Sequence, residues 1–227
     1  MTNKYEFVPG DEITIAPGRT VKRIRALVAI AAFGVSAGDL GGYVESEKNL
    51  MQVSGDARVS GDAQVSGDAQ VSGNALVSGD AWVSGNAWVS GDARVSGDAQ
   101  VSGDAWVYGD AWVSGNAWVS GDAWVYGDAR VSGDARVYGD ARVSGDAQVS
   151  GNAQVSGNAQ IVWFSKVGRD NGTLTVFKDK DGQLLATRGC FIGTIDKFLS
   201  KSEAEHDDRT HLEYRLLIEV AYSRLTK

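Results

Sequence analysis

Residues 101–124 read VSGDAW VYGDAW VSGNAW VSGDAW, which is one six-residue unit written four times. The same unit runs without insertion from Val53 to Gln160, eighteen times in all. Val always occupies the first position and Ala the fifth, while the fourth position holds Asp thirteen times and Asn five times. A period this short and regular predicts a solenoid in which every unit adopts the same local conformation.

The unit itself predicts a short strand and a corner. In the segment Ala-x-Val-Ser, Ala and Val fall on one side of a strand, with x and Ser on the other. Gly followed by Asp or Asn supplies the corner, because these residues best tolerate a positive φ. The chain is therefore expected to wind around a narrow core of Ala and Val.

This unit resembles the hexapeptide motif of left-handed parallel β-helices, in which three units make one triangular coil. The resemblance implies an all-β solenoid of about six to seven triangular coils, stacked at about 4.8 Å per coil. We expect a lead-in or cap segment over 1–39, the β-helix over 40–160 and a small α+β cap over 161–227.

The C-terminal region departs from the repeat and predicts a mixed cap. Residues 172–187 form a hairpin pattern with its turn at Asp181-Gly182. Thr194 is suited to cap a helix that carries Ile195, Phe198 and Leu199. A second helix from about Asp208 places four apolar residues along one stripe, namely Leu212, Leu216, Val220 and Leu225.

Segments outside the repeat carry a wider resemblance. Residues 22–26 (KRIRA), 37–45 (AGDLGGYVE) and 189–194 (GCFIGT) are similar to segments of hexapeptide-repeat proteins encoded by phages and prophages. That family is largely without assigned activity. The resemblance implies location in the cytoplasm of the host cell and suggests interference with a host pathway, as a counter-defence inhibitor would produce.

With three units per coil, the x residues divide into three faces. Face one carries Arg58, Leu76, Arg94, Trp112, Arg130 and Gln148. Face two carries Gln64, Trp82, Gln100, Trp118, Arg136 and Gln154. Face three carries Gln70, Trp88, Trp106, Trp124, Arg142 and Gln160, with Tyr108 and Tyr126 on the strands of Trp106 and Trp124.

Face three is the strongest candidate binding surface, because three Trp rungs follow one another there. Fully displayed, three Trp side chains match the roughly 300–600 Å² of the largest apolar patch on a typical monomer. The alternative is a ladder that only stiffens the solenoid. The residues predicted to contact a partner are Trp82, Trp88, Trp106, Tyr108, Trp112, Trp118, Trp124, Tyr126, Arg136, Tyr138 and Arg142.

Catalysis has little support in the repeat. Acyltransferases with the left-handed β-helix fold rely on a His and on loops extruded from the coils, and residues 53–160 contain neither. His206 and His211 are five residues apart and would not share one helix face. Cys190 is expected to be a packed small residue. We therefore expect no enzyme, no cofactor and no metal site, although calcium binding by the corner Asp residues stays an alternative.

Composition excludes further classes. A net charge of −7 argues against nonspecific binding of nucleic acid. The sequence contains no uninterrupted stretch of 18 apolar residues, so we expect no membrane span. The apolar run 26–35 follows 25 other residues, so we do not expect it to direct secretion. A single cysteine fits a reducing compartment.

The sequence thus predicts a non-catalytic interaction protein that uses its Trp and Tyr face. Left-handed β-helix proteins commonly form trimers, so a homo-oligomer is the first expectation, with a host protein as a further partner. One alternative is a structural virion protein or a bactofilin-like filament. The other is capture of a nucleotide-like ligand, for which the planes of Trp and Tyr beside Arg142 are suited.

Overall fold

The chain forms mostly short strands, because a corner interrupts it every six residues. The computed structural model describes residues 3–52, 55–157, 160–179 and 181–226. Three N-terminal strands, β1 (Tyr5–Ala16), β2 (Arg19–Ala26) and β3 (Leu40–Val44), precede the repeat. The described units then supply β4 to β20, each an x residue with the Val after it: Arg58–Val59, Gln64–Val65, Gln70–Val71, Leu76–Val77, Trp82–Val83, Trp88–Val89, Arg94–Val95, Gln100–Val101, Trp106–Val107, Trp112–Val113, Trp118–Val119, Trp124–Val125, Arg130–Val131, Arg136–Val137, Arg142–Val143, Gln148–Val149 and Gln154–Val155.

These strands pair in parallel at a constant spacing of 18 residues, as in Trp88 with Trp106. Three units therefore close one coil, and about six turns of a parallel β-solenoid result, which confirms the predicted fold. Face one is a six-stranded sheet and face three a five-stranded sheet. Face two is continued at its N-terminal end by β3, β2 and β1 in one nine-stranded sheet.

The core is a column of Ala and Val. Each such residue in the described units is at most 4% exposed. Backbone hydrogen bonds join successive coils, for example from Trp88 N to Ala105 O and from Ser90 N to Val107 O, both at 2.9 Å. Because the column is only as wide as these two small residue types allow, most of each x side chain must lie outside it.

Glycine makes the corners possible. In the described units Gly55 to Gly151, the corner glycine has φ between +57° and +73°. The following Asp or Asn keeps a negative φ, so the left-handed conformation falls on Gly alone. A Cβ on a corner glycine would also contact the backbone of the next coil, as at Gly103, where it would lie 2.8 Å from the nitrogen of Gly121.

The Asn residues of the corners are hydrogen-bond donors between coils. The side-chain amides of Asn74, Asn86 and Asn116 donate to the carboxylates of Asp92, Asp104 and Asp134 at 3.1, 2.8 and 2.9 Å. Each of these Asn residues replaces an Asp that would face the next carboxylate along the corner. The substitution therefore removes a like-charge contact and adds a bond.

The N-terminal segment covers the first coil both with backbone pairing, in which β3 lies parallel to β5, and with side chains. Buried Asn49 donates from Nδ2 to the carbonyls of Gly67 and Ala69 at 3.0 and 2.8 Å. Glu45 accepts from the Gly67 amide at 2.6 Å and from Arg19 at 2.7 Å. These groups satisfy peptide groups that a neighbouring coil would otherwise pair.

Two glycines let β3 lie directly on the first coil. A Cβ at Gly41 would stand 2.8 Å from the carbonyl oxygen of Val59, and one at Gly42 would stand 2.6 Å from that of Ala63. The backbone of β3 therefore approaches the coil closer than any other residue type would allow. This contact explains the Gly-Gly pair in β3.

The C-terminal cap is an antiparallel sheet covered on one side by two helices. Its elements are β21 (Ile161–Val167), β22 (Gly172–Lys178), β23 (Leu184–Arg188), β24 (Phe191–Thr194), α1 (Ile195–Glu205) and α2 (Asp208–Leu225). β22 and β23 form the predicted hairpin. The predicted N-cap is confirmed, since the Thr194 hydroxyl accepts from the Lys197 amide at 3.4 Å.

The other side of this sheet closes the last coil. Phe177 and Leu185 extend the Ala and Val column, and two buried Thr residues pair with the coil's exposed backbone. Gln148 N donates to Thr175 Oγ1 at 3.0 Å, and Thr187 Oγ1 donates to Gln148 O at 2.8 Å. Gln160 does not continue face three as expected, because its side-chain oxygen accepts from Ser156 N and Oγ at 2.7 and 2.9 Å.

The second helix packs with a different face from the one that the apolar stripe suggested. Its buried residues are Thr210, Tyr214, Ile218, Ala221 and Leu225. Leu212, Leu216 and Val220 are each more than 40% exposed, so only Leu225 of the predicted stripe is in the core. Neither described helix has the length and apolar character needed to cross a membrane.

The aromatic face as candidate functional site

Parallel pairing at 18 residues places three Trp side chains in one ladder on face three. The ring centroids of Trp88 and Trp106 are 4.9 Å apart at an interplanar angle of 71°. Those of Trp106 and Trp124 are 5.3 Å apart and stacked at 9°. Successive rungs of the sheet are close enough for the rings to touch, so the ladder follows directly from the register.

Two Tyr residues form a second, parallel ladder beside the first. Tyr108 and Tyr126 stack with centroids 5.0 Å apart and an interplanar angle of 2°. Tyr108 also meets Trp106 and Trp124 edge-on at 6.5 and 6.2 Å. Trp88, Trp106, Tyr108, Trp124 and Tyr126 therefore form one continuous cluster, which we call the aromatic face.

Hydrogen bonds fix several indoles at their inner edge. Trp88 Nε1 donates to Ser72 Oγ at 3.2 Å, and Trp82 and Trp112 make the same bond at 3.4 Å to Ser66 and Ser96. The Ser always stands 16 residues before the Trp, on the preceding coil. Sequence reasoning missed this contact, although the spacing of 16 between Ser and Trp was available as a signal.

Mutual packing reduces the apolar area that the aromatic face exposes. Trp88 and Trp106 are 39% and 37% exposed, and Trp124 is half-buried. These fractions leave roughly 60–100 Å² on each exposed Trp, given the 150–250 Å² that a Trp can bury. Each ring covers part of the next, so the three Trp side chains together expose less apolar area than three fully exposed ones would.

The other predicted residues are distributed over the remaining faces. Trp112 lies on face one, and Trp82 and Trp118 lie on face two, each at least 40% exposed. Trp118 donates its indole N–H to Gln100. Tyr138, next to Arg136 on face two, is exposed and lies outside the aromatic face.

An Arg follows the last Trp on every face. The guanidinium carbons of Arg130, Arg136 and Arg142 lie 5.8, 5.4 and 5.0 Å from the ring centroids of the Trp residues 18 positions earlier. A cation over an indole face is attracted to the ring quadrupole. Arg142 therefore covers one plane of Trp124, which a nucleobase would otherwise use.

Burial is the main influence on the pKa of Tyr108 in the aromatic face. Burial, followed by the neighbouring Tyr126, raises the pKa of the Tyr108 hydroxyl, against the opposing effect of Arg142. The Tyr108 side chain thus remains neutral near pH 7. The rings of the aromatic face therefore present an apolar, uncharged surface.

The remaining chemically reactive side chains have structural contacts. The His206 ring lies 5.7 Å from Tyr214, and His211 Nδ1 is 3.3 Å from Ser202 Oγ. Cys190 is exposed in the turn between β23 and β24, so the expectation of a packed cysteine was wrong. Within the described ranges, no group of three or more His, Cys, Asp or Glu residues is placed to hold a metal ion.

Comparison with known proteins agrees with the solenoid. The model of the YdcK β-solenoid repeat family matches residues 52–67, 69–85, 87–103, 99–115, 129–145 and 135–151. These segments all lie in or beside the repeat and cover less than half of the chain, so the likeness concerns the coils. No curated protein matches the chain.

Proposed function

We propose that this β-solenoid protein is a non-catalytic interaction module that binds further copies of itself through the aromatic face, in a closed oligomer with a trimer as the favoured form. One observation carries the proposal. Five aromatic rings form one cluster on a single sheet and all remain partly exposed, namely Trp88, Trp106, Tyr108, Trp124 and Tyr126.

The mutual contacts that reduce exposed area also prepare the surface for binding. Ordering a free side chain at an interface costs about 0.5–1.5 kcal/mol. The stacked rings of Trp106 and Trp124 are already held in place, so binding would not have to order them. Rigid aromatic anchors of this kind dominate the energetics of many interfaces.

The surroundings of the aromatic face suit an interface rim. Exposed corner residues Asp104 and Asp122 precede the strands of Trp106 and Trp124, and Asp110 and Asp128 follow them. A stable interface usually has an apolar centre and a polar, wet border. The aromatic face with its corner carboxylates has this arrangement.

The capped ends favour a closed oligomer over a filament. A filament of stacked solenoids needs open coil edges at both ends. Here Asn49 satisfies carbonyls of the first coil, and Thr175 and Thr187 pair with the last one. End-to-end growth would have to displace these contacts, whereas side-by-side association through a face leaves them intact.

Native mass spectrometry of the full chain tests the proposal. We expect the wild-type protein to appear at a multiple of 24.0 kDa, three chains being the favoured number. The variant Trp106→Gln with Trp124→Gln should appear as a monomer. Gln already occupies x positions such as Gln64 and Gln100, so the coil accepts it.

The control is Trp82→Gln with Trp118→Gln, which removes the same two side chains from face two. This variant should keep the wild-type mass. A monomeric wild-type protein, or loss of the oligomer in both variants, would refute self-association through the aromatic face. An oligomer that carries a few hundred extra daltons per chain would instead favour a captured small ligand. A complex that contains a second polypeptide would favour a heterologous partner such as a host protein.

A further inference from the structure

A cavity of about 510 Å³ opens at the N-terminal end of the solenoid, between β2, β3 and the first coil. Its floor includes Ile24, Leu50 and Val59, each at most 4% exposed. Its rim includes Phe33 and Leu40, which expose 41% and 61% of their surface. The volume lies within the roughly 300–1,000 Å³ of small-molecule sites, whose walls are mostly apolar.

One charged side chain in the wall has an unsatisfied donor. Arg58 lies with its guanidinium carbon 3.6 Å from the centroid of the Phe33 ring. Its Nε is out of contact with water and has no hydrogen-bond partner, the one such buried side-chain nitrogen or oxygen in the part of the chain that the structure describes. No described carboxylate forms an ion pair with Arg58.

The surroundings make this arrangement of Arg58 costly. Burial, and then repulsion by Arg94, lowers the pKa of Arg58, with Asp56 opposing. An arginine that merely covers apolar surface keeps its polar atoms in water. Here Nε has lost that water, and a buried donor left unsatisfied costs free energy.

We propose that this cavity binds a small molecule with an apolar body and a single carboxylate, the carboxylate accepting hydrogen bonds from the terminal N–H groups of Arg58, which no described residue pairs. The guanidinium fork matches a carboxylate in two parallel bonds. Ile24, Leu50 and Leu76 receive the apolar body. The two other charged residues of the lining bond elsewhere, Lys4 to the Gly55 carbonyl and Asp39 to the Ser36 amide.

The net negative charge of the chain means that attraction of a carboxylate to this cavity must come from a local positive charge. At −7, the protein repels anions at long range, so a carboxylate binds only where a local cation attracts it. The cavity is also separate from the aromatic face, because Arg58 and Leu76 lie on face one. Binding here is therefore independent of the proposed oligomer.

Isothermal titration with octanoate and with 1-octanol tests the proposal on the full wild-type chain. We expect saturable binding of octanoate at one site per chain and at least about tenfold weaker binding of 1-octanol, because the alcohol cannot pair with the guanidinium charge. Absence of octanoate binding, or equal affinity for the two probes, would overturn the proposal.

Two variants and a control locate the site. Arg58→Gln should weaken octanoate binding by about tenfold or more and leave 1-octanol unchanged. Arg94→Gln removes a positive charge two coils further along face one, outside the cavity lining, and should change octanoate affinity by less than about twofold. Equal losses in the two variants would mean general electrostatic attraction and would contradict a specific site.

A rim substitution keeps the test decisive if Arg58→Gln does not fold. Leu40 is mostly exposed, so Leu40→Gln should not disturb folding. Since Leu40 lines the cavity mouth, this variant should weaken octanoate and 1-octanol together, by about threefold or more. Unchanged affinity for both probes would place the binding site elsewhere.

Discussion

Substituting a corner glycine tests whether coil stacking, and not backbone conformation alone, requires glycine. Gly103 has φ +70°, and a Cβ there would lie 2.8 Å from the nitrogen and 3.1 Å from the oxygen of Gly121. The left-handed conformation costs an L-residue about 1–2 kcal/mol. Forcing a methyl group into packed backbone adds about 1–3 kcal/mol. We therefore expect Gly103→Ala to destabilise the coils by about 2–5 kcal/mol.

Gly182 provides the matched control in the hairpin turn of the cap. Its φ is +79°, and a Cβ there would have no atom within 4 Å. Gly182→Ala should therefore cost only the conformational term of about 1–2 kcal/mol, reduced by the lower chain entropy of Ala in the unfolded state. The difference between the two substitutions isolates the contact with the next coil.

Hydrogen exchange measured by mass spectrometry gives the local free energy of opening for coil and cap peptides separately. Protection of the peptides around residues 97–125 should fall in Gly103→Ala by more than cap protection falls in Gly182→Ala. Equal losses would show that the coils shift to accept a methyl group. The backbone contact would then not be the reason for glycine at the corners.

Two further predictions concern the ends of the solenoid. In urea unfolding, Leu216→Gln should change the free energy of unfolding by less than about 0.5 kcal/mol, because Leu216 is exposed. Tyr214→Ala should lower it by about 3–5 kcal/mol, because Tyr214 is buried. A large loss of stability at Leu216 would contradict the observed packing of α2. Hydrogen bonds from Arg19 and from the Gly67 amide lower the pKa of Glu45 from its ordinary value of 4.5. The ionised Glu45 carboxylate therefore stabilises the fold above pH 4.5, and this stabilisation is lost as pH falls through the lower pKa of the folded state. The thermal midpoint should therefore fall more steeply below about pH 4.5 for wild type than for Glu45→Gln, and parallel curves would refute this role.

The solenoid could be predicted from the sequence because every unit repeats the same local pattern. Alternation of Ala and Val determines what is buried, and the resemblance supplied three units per coil, so Trp88, Trp106 and Trp124 were correctly assigned to one face. The exposed fraction of those rings could not be predicted, since it depends on how far each ring covers the next. Tilt and stacking are properties of the whole ladder.

The ends were harder to predict because their contacts are long-range. Residues 208–225 contain two apolar stripes, and periodicity could not decide that Tyr214 and Ile218, instead of Leu212 and Leu216, face the sheet. The unsatisfied Nε of Arg58 likewise depends on contacts with residues distant in the sequence, Phe33 among them. In the sequence, Arg58 is simply one more x residue of the repeat.

Because strands pair at a spacing of 18 residues, the number of residues between two x positions determines whether their side chains share a face. Removing one whole coil would shorten the solenoid by about 4.8 Å and leave every later residue on its own face. Removing a single unit would rotate all later units by about a third of a turn. If the removed unit lies between Trp124 and Arg142, Arg142 leaves the Trp124 ladder and continues the face of Trp118, so a deletion of six residues there changes which side chains meet without altering any of them.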